Sequence, residues 1–108
     1  MTRRERIEEM LAANPNDGFL MFALAKEIEK EGHDEAALEA YQKLKDTDPD
    51  YVGLYFHLAK TLERLNREAE AWQTYTTGMS IAKKLGEQHA MNELAGARLE
   101  LGDEEDFI

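Results

Sequence analysis

The side chains most ready for chemistry are scarce in this chain: one serine, Ser80, three histidines, His33, His57 and His89, and no cysteine. None stands in a nucleophile elbow, a paired-histidine zinc motif or a glycine-rich phosphate loop. A lone histidine on a helix ordinarily serves as a surface or half-buried structural residue. The acidic run Asp103, Glu104, Glu105 and Asp106 has charge enough for a divalent cation but lacks the alternating ligand loop that calcium requires, so it reads as a solvated tail. From these residues we expect no enzyme activity, no cofactor and no metal site.

The elements that must position every other side chain are bounded by composition. A length of 108 residues fits one domain, 1–108. With 43% hydrophobic and 33% charged residues the chain is too apolar for a disordered acidic tail and too interrupted by charge for a membrane span. No long apolar run follows Arg3, Arg4 and Arg6, so a secretory signal is not expected. The lack of cysteine agrees with a reducing compartment, and the expected location is the cytoplasm. A formal net charge of −10 repels a phosphate backbone, which argues against nucleic acid as a partner. That acidity suits either a high-salt cytoplasm or an ordinary glutamate-rich helical surface.

Sliding the chain against itself by 34 residues places Leu20 on Leu54, Phe22 on Phe56, Leu24 on Leu58, Ala25 on Ala59 and Lys26 on Lys60. The register continues with Glu29 on Glu63, Ala37 on Ala71 and Tyr41 on Tyr75, and with the conservative pairs Ile28/Leu62 and Lys30/Arg64. Small residues fall on small and aromatics on aromatics, the mark of an internal repeat. Within each unit the apolar spacing is helical: Met21, Leu24, Ala25 and Ile28 in one, Tyr55, Leu58, Ala59 and Leu62 in the other. Gly32 and Asn66 permit a left-handed exit, and a second amphipathic stretch follows each. Pro49 ends the second helix of the first unit, whereas Lys83 occupies the equivalent place in the second; with no breaker before Gly86, that helix should run about one turn longer.

Both flanks carry weaker versions of the pattern. Thr2 and Glu5 have capping-box spacing, and Ile7, Met10 and Leu11 form an apolar face, which predicts a half-repeat helix over 1–15. Met91, Leu94 and Ala95 repeat the spacing of Met21, Leu24 and Ala25 after two extra residues, predicting a capping helix over 88–101. Asp103 to Ile108 is too short to nucleate a helix alone.

The series Met21, Leu24, Ala25, Ile28, Gly32, Ala37, Tyr41, Pro49, repeated as Tyr55, Leu58, Ala59, Leu62, Asn66, Ala71, Tyr75 and Lys83, resembles the tetratricopeptide repeat. The resemblance is good over residues 18 to 85 and weak at the flanks. It implies an all-α fold of antiparallel helix-turn-helix repeats, 18–51 and 52–85, stacked as a short right-handed superhelix of about five helices. It also implies a scaffold that binds a protein or peptide in a concave groove lined by the first helix of each unit.

On the first helices, the face opposite the core stripe carries Phe22, Lys26, Glu29 and Lys30, matched by Phe56, Lys60, Glu63 and Arg64. The candidate groove residues are therefore Phe22, Lys26, Lys30, Phe56, Lys60 and Arg64. The aromatics would supply contact area and the cations would draw an acidic group, so the expected partner has an acidic or apolar segment. Two alternatives stand beside this: the phenylalanines pack between neighbouring helices, and Glu29 and Glu63 neutralise the cations. The chaperone-tail clamp of the family is not expected, since Phe22, Lys26 and His57 stand where it requires lysine, asparagine and asparagine. A different class of function, self-association through repeat edges or the groove, also fits such a module.

Overall fold

The computed structural model describes residues 1–107. Their regular structure is six α-helices in chain order: α1 (Arg3–Ala13), α2 (Gly18–Lys30), α3 (Asp34–Thr47), α4 (Gly53–Arg64), α5 (Glu68–Lys84) and α6 (Gln88–Leu101), then one 3-10 turn, Glu104–Asp106. These are two helices for each repeat and one on each flank, six where the resemblance implies about five. Each helix packs on the next, in a body of 46 × 30 × 20 Å.

The helix boundaries follow from local chemistry. Thr2 and Glu5 close a reciprocal capping box at α1, and the Asp17 carboxylate accepts from the Leu20 amide at the start of α2. Gly32, Asn66 and Gly86 all take positive φ, at 84°, 61° and 73°. After each, the next amide donates to a carbonyl five residues back, His33 to Ile28, Arg67 to Leu62 and Glu87 to Ala82. Asparagine serves where glycine stood because its side chain tolerates this region better than other non-glycine residues do. α3 has 14 residues and α5 has 17, the extra turn expected from Lys83 in place of proline.

Ala25, Ala37, Ala59 and Ala71 are fully buried, where small side chains let helices approach. A closer approach, not foreseen in the sequence, occurs at Gly78 of α5. A Cβ there would lie 2.6 Å from the Tyr55 Cβ, so no side chain fits without a shift of α5 from α4. In the first repeat the same two register positions hold Leu44 and Met21. The second repeat thus exchanges two medium side chains for a large one facing none, which conserves volume across the pair. The Tyr55 hydroxyl continues past this point to donate to the Pro49 carbonyl at 2.5 Å, tying α4 to the link between repeats.

After α6 the chain turns back. Asp103 and Asp106 cap one another, and Phe107 stacks on Trp72 with ring centroids 5.7 Å apart. The Arg98 guanidinium lies 4.7 Å from the centroid of the same indole. The acidic tail is thereby partly folded onto α5 and α6; the sequence expectation for this segment extends to Ile108, outside the described residues.

Candidate functional site

The first helices approach in series, α2 to α4 and α4 to α6, whereas no Cα of α3 comes within 8 Å of one in α5. Helices that meet on one side and diverge on the other curve the stack, with α2, α4 and α6 on its inner surface. A cleft of about 530 Å³ opens there, with Phe22 and Lys26 from α2, Tyr51 from the link, Phe56 and His57 from α4, and Glu93 from α6 in its wall. Glu87 and Asp50 stand at the same cleft. A second hollow, about 500 Å³, shares Lys26 and His57 with the first and continues along Glu29, Lys30, Asp34 and Arg64. Phe22, Lys26, Lys30, Phe56 and Arg64 therefore line one continuous surface. Lys60 lines neither hollow.

Phe22 and Phe56 are half-buried, each with one side in the core. Phe22 meets Tyr51 at 5.1 Å and the edge of His57 at 5.5 Å, while Phe56 meets His57 at 5.6 Å and Tyr75 at 6.5 Å. Each ring also carries the lysine of the following turn, Lys26 Nζ 5.3 Å from the Phe22 centroid and Lys60 Nζ 5.7 Å from that of Phe56. Geometrically these are matched cation–π pairs, repeated with the 34-residue period.

The cations differ in their freedom. Arg64 is held at 2.8 Å by Glu29 and at 2.9 Å by Asp34, and Lys60 lies 3.6 Å from Glu63. Lys26 and Lys30 take part in no ion pair among the described residues.

Glu29 anchors a polar network that the apolar pattern did not announce. Its Oε1 accepts from the Tyr41 hydroxyl at 2.5 Å and lies 3.2 Å from His57 Nδ1; its Oε2 accepts from Arg64. A carboxylate only accepts, so Nδ1 carries the hydrogen. Burial by itself would raise the Glu29 pKa, but the bonds from His57, Tyr41 and Arg64 together outweigh it and hold the group at about 2. The Tyr75 hydroxyl bonds Glu63 in the same way, and both tyrosine phenols are pushed up by burial and by the adjacent carboxylate. One sequence signal existed: a glutamate outside the apolar stripe and a core tyrosine 12 residues further on, repeated with the period. Of the other reactive residues, Ser80 and His89 are exposed, and His33 sits exposed at a turn 3.5 Å from Glu31.

Antiparallel helix pairs stacked in constant register, with alanines at the crossings, define a helical-repeat scaffold of the kind used in protein interaction. Solution and crystal structures of a tetratricopeptide repeat domain protein from Salinibacter ruber are 42% identical to this chain. The first covers 81% of this chain and 88% of its own with a TM-score of 0.77; the second covers 79% and 96% with 0.75. A protein of Bordetella parapertussis is 31% identical, covering 94% of this chain and 88% of that one, with a TM-score of 0.82. The chain belongs to the tetratricopeptide repeat family. The type III secretion translocator chaperone SycD of Yersinia enterocolitica, 14% identical over 91% of this chain and 68% of its own, shares the fold at a TM-score of 0.82. No family model and no curated protein matches the sequence. No helix among the described residues is long and apolar enough to cross a membrane.

Proposed function

We propose that this protein is a non-catalytic cytoplasmic adaptor that holds a peptide segment of another protein on the inner surface formed by α2, α4 and α6. The observation that carries this reading is the open cleft with Phe22, Tyr51 and Phe56 at its wall and, beside them, Lys26, which forms no ion pair among the described residues. Aromatic rings supply contact area at little entropic cost, and an adjacent charge orients what lands on them. The working unit is one domain, with repeats 18–51 and 52–85 between a half-repeat helix at 1–15 and a capping helix at 88–101. The net charge of −10 favours a protein partner over nucleic acid.

The test is capture of partners from cell extract by the parent, Phe56→Ala and Lys26→Glu, with circular dichroism as the folding control. Lys26 is the cleaner charge to change, because Lys60 and Arg64 are engaged within the chain. Both folded variants should lose the partner, and Lys26→Glu should lose more at low salt than at high salt. Full retention by both would move the site off this surface.

A second reading, self-association through the amino-terminal edge, is favoured by one feature. Met10 and Phe19 are 55% and 68% exposed, beside a hollow that also includes Ile7 and Ala23. Sedimentation at several concentrations of the parent and Phe19→Ser separates the readings: a concentration-independent monomer leaves only the adaptor.

A further inference from the structure

The two ends of the inner surface differ in charge, and the difference follows from a break in the repeat. At the first seam, between α2 and α4, the chain supplies its own nitrogen donors to Glu29, from the Arg64 guanidinium and the His57 imidazole. The two extra residues before α6 put Glu93 and Glu100 at the register positions of His57 and Arg64. Carboxylates thus stand at the second seam where the first has nitrogen donors. Glu63, the register equivalent of Glu29, is left with the Tyr75 hydroxyl and Lys60. At the cleft itself Asp50 pairs with Lys84 at 2.9 Å, but Glu87 and Glu93 have no ion-pair partner among the described residues.

We propose that the α6 end of this cleft selects a basic side chain, so that the bound segment carries a lysine or arginine close to an aromatic or aliphatic residue. The inference rests on the groove reading above and adds the chemistry of its occupant. The apolar residue sits on Phe22, Tyr51 and Phe56, and the cation reaches Glu87 and Glu93. Lys26 and Lys60 already show that these phenylalanine faces accept an ammonium group at 5.3 and 5.7 Å. At the opposite end Lys26 and Lys30 provide the site for an acidic group, which gives the segment a direction: acidic toward the α2–α3 turn, basic toward α6. The net charge of −10 draws such a basic segment from a distance.

The experiment is selection of a random linear dodecapeptide phage library on the full chain, followed by fluorescence anisotropy with a labelled peptide of the enriched sequence. Enriched peptides should carry lysine or arginine near a large apolar residue, and replacing that basic residue by glutamate should weaken binding about tenfold or more. The double variant Glu87→Lys/Glu93→Lys should weaken the original peptide similarly and recover the charge-reversed one. Glu9→Lys/Glu39→Lys, which changes the net charge equally on α1 and α3 away from the cleft, should leave binding within about twofold, since distant exposed charges are screened. Enriched peptides without a basic residue, or an equal loss in both double variants, would overturn the inference. Peptides sensitive to Phe56→Ala but indifferent to Glu87→Lys/Glu93→Lys overturn it while leaving the groove reading in place. Peptides indifferent to Phe56→Ala as well, or no enrichment at all, overturn both.

Discussion

Two seams of this molecule are built on one template and differ in what they leave unsatisfied. Between the first and second repeats, Glu29 gathers Tyr41, His57 and Arg64, and Arg64 is further fixed by Asp34, so the polar groups close on themselves. Between the second repeat and α6, the tyrosine–glutamate bond is kept in Tyr75 and Glu63, but the positions that supplied nitrogen donors now hold Glu93 and Glu100. The apolar contacts are not weaker there. α6 makes the most extensive helix contact in the molecule, on α5, and buries Leu94 and Ala97. Apolar order and polar closure have separated along the stack: at one seam the carboxylate is met by nitrogen donors of the next repeat, and at the other the equivalent positions carry carboxylates.

The largest effect expected from this comparison concerns the ends. Deleting residues 88–108 strips a long apolar seam from α5 and leaves Tyr55 and Gly78 under water, so the remainder should aggregate or lose cooperative thermal unfolding. Deleting residues 1–15 should do much less, since α1 buries only Ile7. Sedimentation and calorimetry of the two truncations measure this, and a soluble, normally melting 1–87 fragment breaks the claim that α6 completes the core.

Overpacking comes next. Ala25→Leu at the first hairpin and Gly78→Ala at the second should each cost about 1 to 3 kcal/mol in urea unfolding. If Gly78→Ala is neutral, α5 can shift from Tyr55 and the second repeat is the looser one.

The polar difference should be smaller but more diagnostic. Glu29→Gln leaves charged and neutral donors without their carboxylate and should cost about 1 to 3 kcal/mol, against about 0.5 to 1.5 kcal/mol for Glu63→Gln. The pH dependence has a definite sign. Because the Glu29 pKa is depressed on folding, from an ordinary 4.5 to about 2, its contribution is complete above pH 4.5 and is lost as pH falls toward 2. The parent should therefore lose more stability than Glu29→Gln across that interval, read from urea midpoints. Parallel curves would show that the network adds nothing at the first seam.

How far each feature was legible depends on the range of its cause. Helix boundaries were readable because a capping box, a left-handed glycine or asparagine and a proline act within a few residues, and the repeat was readable because the alanine and tyrosine positions recur with one period. The amino acid sequence by itself determined that this chain is an all-helical tetratricopeptide repeat protein, that Phe22 and Lys26 share a face with its copy in the next unit, and that α5 outruns α3. Which of those cations remain available was decided only by the tertiary structure. Lys26 and Lys60 are register equivalents, as are Lys30 and Arg64, but Arg64 reaches Glu29 and Asp34 of the preceding repeat while Lys26 and Lys30 form no ion pair among the described residues. An ion pair depends on separations of a few ångströms between residues 30 and 35 positions apart, a distance that apolar periodicity does not encode. The same holds for Gly78, whose spacing from Tyr55 exists only once the two helices have been laid against each other.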